Sequence, residues 1–128
     1  MERKYARVLL VDDMKVNFFL LTEILVRLGF TRSNISIADN GFDALAILRD
    51  KDVDLVITDL EMPRINGMDL IKEIKNNTGL YKIPVILNSG TATPEIAKQA
   101  ILFGAIGFFP KPYDIKEIEA VIAKIFPS

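Results

Sequence analysis

Five short apolar runs separated by segments of helical length constrain this chain more than any other feature: Val8 to Val11, Ile35 to Ala38, Val53 to Thr58, Val85 to Asn88 and Gly107 to Pro110. Runs rich in Val, Ile and Leu with no polar alternation read as strands buried on both faces, and such strands belong to parallel sheets covered by helices. The expected class is therefore α/β, one continuous β-α alternation without a linker or low-complexity tract. Four of the runs lead into residues suited to phosphate or metal chemistry. Asp12 and Asp13 follow the first, Asp59 the third, Ser89 the fourth, and Lys111 the fifth. The C-terminal ends of parallel strands line one sheet edge, where ligands bind in open α/β sheets. Three acids, a hydroxyl and an ammonium should meet there.

The intervening segments carry helical signals. Val16, Phe19, Leu20, Ile24, Val26 and Leu28 are expected to form a broad apolar face that stops at Gly29. Asn40-Gly41 reads as a turn, followed by Ala44, Leu45, Ile47 and Leu48 as the inner face of a second helix. Beyond Met62-Pro63 and Gly67, Met68, Leu70, Ile71 and Ile74 predict a third helix that decays in Asn76-Asn77-Thr78-Gly79. Thr93-Pro94 reads as an N-cap with proline at the first helical position, opening a helix through Ile96, Ala100 and Phe103 to Gly104. Asp114 and Glu117 predict a capping box for a fifth helix, with Ile115, Ile118, Ile122 and Ile125 inward and Lys116, Glu119 and Lys124 outward.

Composition removes several function classes. The 128 residues suit one domain, and 16 Lys and Arg against 17 Asp and Glu leave no polybasic face for nucleic acid or an anionic membrane. With no cysteine there is no disulfide or thiolate chemistry; with no histidine there is no Ser-His catalysis and no phosphohistidine of the chain's own. A phosphoryl group has to arrive from another molecule. The charged N-terminus passes into only four apolar residues before Asp12, too short for a signal peptide or a membrane span. A soluble, cytoplasmic protein without membrane insertion is expected.

Asp12, Asp13 and Asp59, brought together, would repel one another by several kcal/mol at an effective dielectric of about 20. A positive group should sit among them. Hard oxygen ligands with few other donors suit magnesium, which takes one or two carboxylates and keeps waters that a phosphoryl oxygen can replace. Facing such an ion, Asp59 could act as a nucleophile toward phosphorus. Lys111, framed by Pro110 and Pro112, would oppose it, and either isomer of the Lys111–Pro112 bond is compatible with the sequence.

Taken in order, Val8-Leu9-Leu10-Val11-Asp12-Asp13, Asp59-Leu60-Glu61-Met62-Pro63 with Gly67 eight positions after Asp59, Ile83-Pro84-Val85-Ile86-Leu87-Asn88-Ser89-Gly90, and Lys111-Pro112 resemble the receiver domain of two-component response regulators. The resemblance covers residues 1–128 as one domain. It implies a flavodoxin-like (βα)5 three-layer sandwich with strand order 2-1-3-4-5. It makes Asp59 the phosphoacceptor, with magnesium, or manganese in its place, held by Asp13 directly, by Asp12 largely through water, by Asp59 and by the Glu61 carbonyl. Lys111 would pair with Asp59 and then with the phosphoryl group, and Ser89 would donate a hydrogen bond to it. Phe108 matches the switch aromatic, while Glu61 and Thr91 occupy positions that tune phosphoryl lifetime.

The implied partners are a sensor histidine kinase or a histidine phosphotransfer protein. A downstream target, or a second copy in a homodimer, would meet the face of helix four, strand five and helix five. The competing expectation is a receiver-fold interaction module that is not regulated by phosphorylation. Two departures from the family stand out: Asn88 occupies a position that is usually apolar, and Phe108 lacks the hydroxyl of the frequent tyrosine.

Overall fold

The computed structural model describes residues 1–127 and orders ten main elements. They are β1 (Val8–Val11), α1 (Lys15–Arg27), β2 (Ile35–Ala38), α2 (Gly41–Asp50), β3 (Leu55–Asp59), α3 (Gly67–Lys75), β4 (Val85–Ser89), α4 (Pro94–Leu102), β5 (Gly107–Pro110) and α5 (Ile115–Ile122). The strands are all parallel in the order β2-β1-β3-β4-β5. This is the flavodoxin-like sandwich expected from the sequence. Three boundaries move: β3 begins at Leu55 rather than Val53 and ends at Asp59 rather than Thr58, and β4 runs on to include Ser89.

Alternate residues of each strand feed two separate cores, because successive side chains point to opposite faces. Leu9, Val11, Val56, Val85 and Leu87 pack with Ala44, Leu48, Leu70, Ile71, Ile74 and Ala100 on the side of α2, α3 and α4. Val8, Leu10, Leu55, Ile57, Ile86 and Phe109 pack with Leu21, Leu25, Ile118 and Ile122 on the side of α1 and α5. The inner faces of α2 and α3 are thus those read from the sequence.

The inward face of α1 is not. Phe18, Leu21 and Leu25 are buried, whereas Val16 (54%), Phe19 (65%) and Leu20 (45%) are exposed. Ile24 and Leu28 do pack against the core. The helix carries apolar residues around more than one face, so periodicity alone cannot choose which stripe turns inward. On α5 the correction is smaller: Ile118, Val121 and Ile122 are buried, Ile115 is on the rim, and Ile125 lies past the helix end.

The helix ends follow the sequence signals with two exchanges. Gly29 (φ 105°) and Gly104 (φ 114°) take the left-handed conformation that closes α1 and α4, and Phe30 N and Ala105 N reach back to Leu25 O and Ala100 O. Thr93 caps α4 with Pro94 in its first turn. Asn40, read as part of a turn, is the N-cap of α2. Asp114 caps α5 through Lys116 N alone, and the reciprocal capping box sits instead on α3, between Asn66 and Asp69.

At the edge holding the strand N-termini, Arg3 forms an anchor unforeseen from the sequence. Its guanidinium donates to Phe126 O and Leu28 O, each at 2.8 Å, and to both carboxylate oxygens of Glu119 at 2.5 and 2.8 Å. Glu119, expected to face outward, therefore turns toward Arg3. The guanidinium's planar donor fork suits a carboxylate and two carbonyls together.

Candidate functional site

The opposite edge, where the strands end, gathers the predicted residues. Asp12 follows β1 still tied to the sheet, its N–H donating to Ala38 O at 3.1 Å. Its carboxylate accepts from Met14 N at 2.9 Å and from Asn17 Nδ2 at 3.0 Å. Asn17 escaped the sequence reading; its only signal is its place in the first turn of α1, one turn beyond the acid pair. Asp59, the last residue of β3, is 3% exposed, and Asp12 is 4% exposed. Asp13 lies at the surface.

Lys111 is positioned by β5, its N–H donating to Ser89 O at 2.9 Å, and the Lys111–Pro112 bond is cis. Its ammonium lies 3.1 Å from Asp12 Oδ2 and 3.2 Å from Asp59 Oδ1. One cation therefore bridges two buried acids. Burial disfavours the lysine's charge, but the two carboxylates outweigh it and hold the ammonium above its usual range. Burial, and then the neighbouring charge of Asp12, push Asp59 up to about 6 against the pull of Lys111.

Asp59 Oδ1 faces Lys111 without the alignment of a hydrogen bond and has no other partner. Carboxylate oxygens of Asp12, Asp13 and Asp59 all lie within 4.8 Å of one another. An orphaned buried oxygen amid three carboxylates, one of them facing solvent, fits a hard divalent cation that retains water.

On the other flank, Ser89 is 2% exposed and its hydroxyl is fully engaged. It donates to Glu61 Oε1 and accepts from Thr91 N and Ala92 N, each at 3.0 Å. Thr91 Oγ1 also donates to Glu61 Oε1. Burial works against the Glu61 charge, yet these hydroxyls outweigh it and hold the carboxyl below its usual range. Phe108 is half-buried against the α2-α3-α4 core.

Two backbone features mark the β3–α3 connection. A Cβ on Gly67 would lie 2.2 Å from the Asp59 carbonyl oxygen, so any other residue would push α3 off β3. Arg64 holds φ at 68°, an uncommon conformation for a residue with a side chain. Asn88 is buried beside Asp59 in the β3–β4 register with its side-chain Oδ1 unpartnered, while its carbonyl accepts from Leu60 N at 2.9 Å.

With this geometry in place, the response regulator receiver domain family matches residues 8–123. The chain belongs to that family. Receiver domains are phosphoacceptor modules of phosphorylation-dependent signalling rather than enzymes with an external substrate, and they generally use Mg2+. This receiver domain is similar to the chemotaxis protein CheY-3 of Vibrio cholerae, 33% identical over 96% of this chain and 93% of the relative. It is 31% identical to the chemotaxis protein CheY of Pseudomonas aeruginosa over 94% and 95% of the two chains. A solved response regulator from Desulfuromonas acetoxidans superposes with a TM-score of 0.80 at 31% identity, covering 94% of this chain and 96% of that one. Among the described residues, no helix of the receiver domain is long and apolar enough to cross a membrane.

Proposed function

We propose that Asp59 is the phosphoacceptor of this receiver domain and that a phosphohistidine on a sensor histidine kinase or histidine phosphotransfer protein is its donor. One observation carries the reading: Asp12, Asp13, Asp59 and Lys111 converge around a buried Asp59 oxygen that has no hydrogen bond. In the transfer, an Asp59 carboxylate oxygen bonds to phosphorus as the phosphorus–nitrogen bond of the donor breaks, and the electron pair leaves with the imidazole. Hydrolysis of the acyl phosphate by water then returns the carboxylate and releases phosphate.

The carboxylates of Asp12, Asp13 and Asp59, with the Glu61 carbonyl, would hold the magnesium or manganese ion. The bound cation supplies positive charge where the transferred group carries negative charge. Lys111, already 3.2 Å from Asp59, contributes the second positive charge. Ser89 binds a phosphoryl oxygen, Phe108 moves inward in response, and Glu61 and Thr91 set how long the phosphoryl group survives. The face formed by α4, β5 and α5 carries the change to a partner or a second copy in the cytoplasm.

The exposed Val16, Phe19 and Leu20 on α1 extend an apolar surface from the rim holding Asp13. A protein donor has to lay its own surface against that rim to deliver phosphorus, and this patch gives it an apolar footing.

Incubation with acetyl phosphate and Mg2+ should give an acid-stable, hydroxylamine-labile phosphate that is lost in Asp59→Asn. Equal labelling of the Asn variant refutes the assignment. Carboxylate-dependent magnesium binding separates this reading from an unphosphorylated interaction module, which lacks it.

A further inference from the structure

The Ser89 hydroxyl, proposed to hydrogen-bond a phosphoryl group on Asp59, is already occupied. Ser89 has one hydroxyl proton, and it points to Glu61 Oε1. The same carboxylate oxygen takes the Thr91 hydroxyl proton, while Ser89 Oγ holds the Thr91 and Ala92 N–H groups. Glu61 is surface-exposed and sits two residues after Asp59, so its backbone is fixed by the site while its side chain is free to swing away. Ser89, by contrast, is buried in β4 and reaches another partner by rotating its hydroxyl.

We infer that the Glu61 carboxylate is an internal stand-in for the phosphoryl group, holding the Ser89 and Thr91 hydroxyls in the resting state until a phosphoryl group on Asp59 displaces it. A carboxylate and a phosphoryl group offer the same thing to a hydroxyl, an anionic oxygen acceptor, so the two compete for one proton. The newcomer also carries negative charge close to the Glu61 backbone, which disfavours the carboxylate staying where it is. Release of Glu61 frees both hydroxyls and loosens the loop from Ser89 to Ala92, which leads directly into Thr93, the N-cap of α4. Glu61 thereby acts as a positioning residue that sets the threshold of the switch. This rests on Asp59 being the phosphoacceptor.

The test uses beryllofluoride with Mg2+ as a phosphoryl analogue on the full chain, comparing the parent with Glu61→Ala and Glu61→Gln. Loss of the competing carboxylate should tighten analogue binding about tenfold in Glu61→Ala, the factor made by 1.4 kcal/mol. Glu61→Gln, which keeps a neutral acceptor, should fall between the two. Without analogue, the amide resonances of Thr91 and Ala92 in Glu61→Ala should move toward their positions in the analogue-bound parent. Affinity within twofold of the parent, or weaker, overturns the latch, as does an unshifted Ser89–Ala92 loop. A parent that binds no analogue overturns the role of Asp59 and, with it, the release by phosphorylation. A parent that binds analogue with no effect of Glu61 leaves Asp59 standing and sinks only the latch.

Discussion

Replacing Asp59 by Asn should stabilise the metal-free protein at neutral pH. Burial first, and the charge of Asp12 second, lift the Asp59 carboxyl from 3.8 to about 6 despite Lys111. A carboxyl that ionises less readily when folded costs stability as pH rises. Below pH 3.8 both states are protonated, and between 3.8 and about 6 the unfolded chain gives up its proton first. Above that window the penalty is constant. At about 1.4 kcal/mol per pH unit, the plateau is worth ~3 kcal/mol. In a domain of this size that raises Tm by about 10 °C.

Urea unfolding of parent and Asp59→Asn in a chelating buffer, from about pH 4 to about pH 8, should show two curves that start together and separate through the window. Added Mg2+ should then stabilise the parent more than the variant, closing the gap. A difference that stays flat with pH, or an Asn variant weaker than the parent at about pH 8, refutes the argument that the site is held at an electrostatic cost.

Three further outcomes can be checked alongside it. Lys111→Ala leaves two buried carboxylates without their shared cation and should cost about 2–3 kcal/mol at neutral pH; in thermal melts the loss should shrink as the carboxylates protonate in acid and when Mg2+ is added. Arg3→Ala removes an anchor spanning Glu119, Leu28 and Phe126 and should cost about 3 kcal/mol in urea unfolding, with acetyl phosphate labelling intact below the melting range. Phe19→Ala, at a largely exposed position, should change stability by under ~0.5 kcal/mol. Its phosphotransfer rate from a protein donor should fall about tenfold while labelling by acetyl phosphate is unchanged.

The strands and the acid-lysine cluster were legible in the sequence because their signals are local and topology does the rest. A buried parallel strand announces itself by an unbroken apolar run, and the residue after it must appear at the ligand-binding edge. Asp12, Asp59, Ser89 and Lys111 needed nothing more. The inward face of α1 was not legible, because Phe18, Phe19, Leu20 and Leu21 follow one another and only packing into the core shared with α5 selects Phe18 and Leu21. Arg3 and Glu119 were hidden for another reason: a charge pair separated by nearly the whole chain leaves no spacing to read. The clasp of Glu61 on Ser89 and Thr91 belongs to the same class, since it depends on how two loops from β3 and β4 close over one another. The capping box shows the limit of pattern alone, as Asp114 and Glu117 have the spacing while Asn66 and Asp69 have the geometry.

The guanidinium of Arg3 has a mechanical meaning. It pins the far end of α5 to the end of α1 and to the Phe126 carbonyl, at the edge of the sheet opposite the acids. The near end of α5 hangs from the short connection that starts at Lys111. Held at one end by Arg3 and at the other by that connection, α5 has more freedom to tilt about the pin than to slide along its own axis. Any tilt about that pin would displace Ile115 and Lys116 further than Val121, because they lie farther along the helix from Glu119.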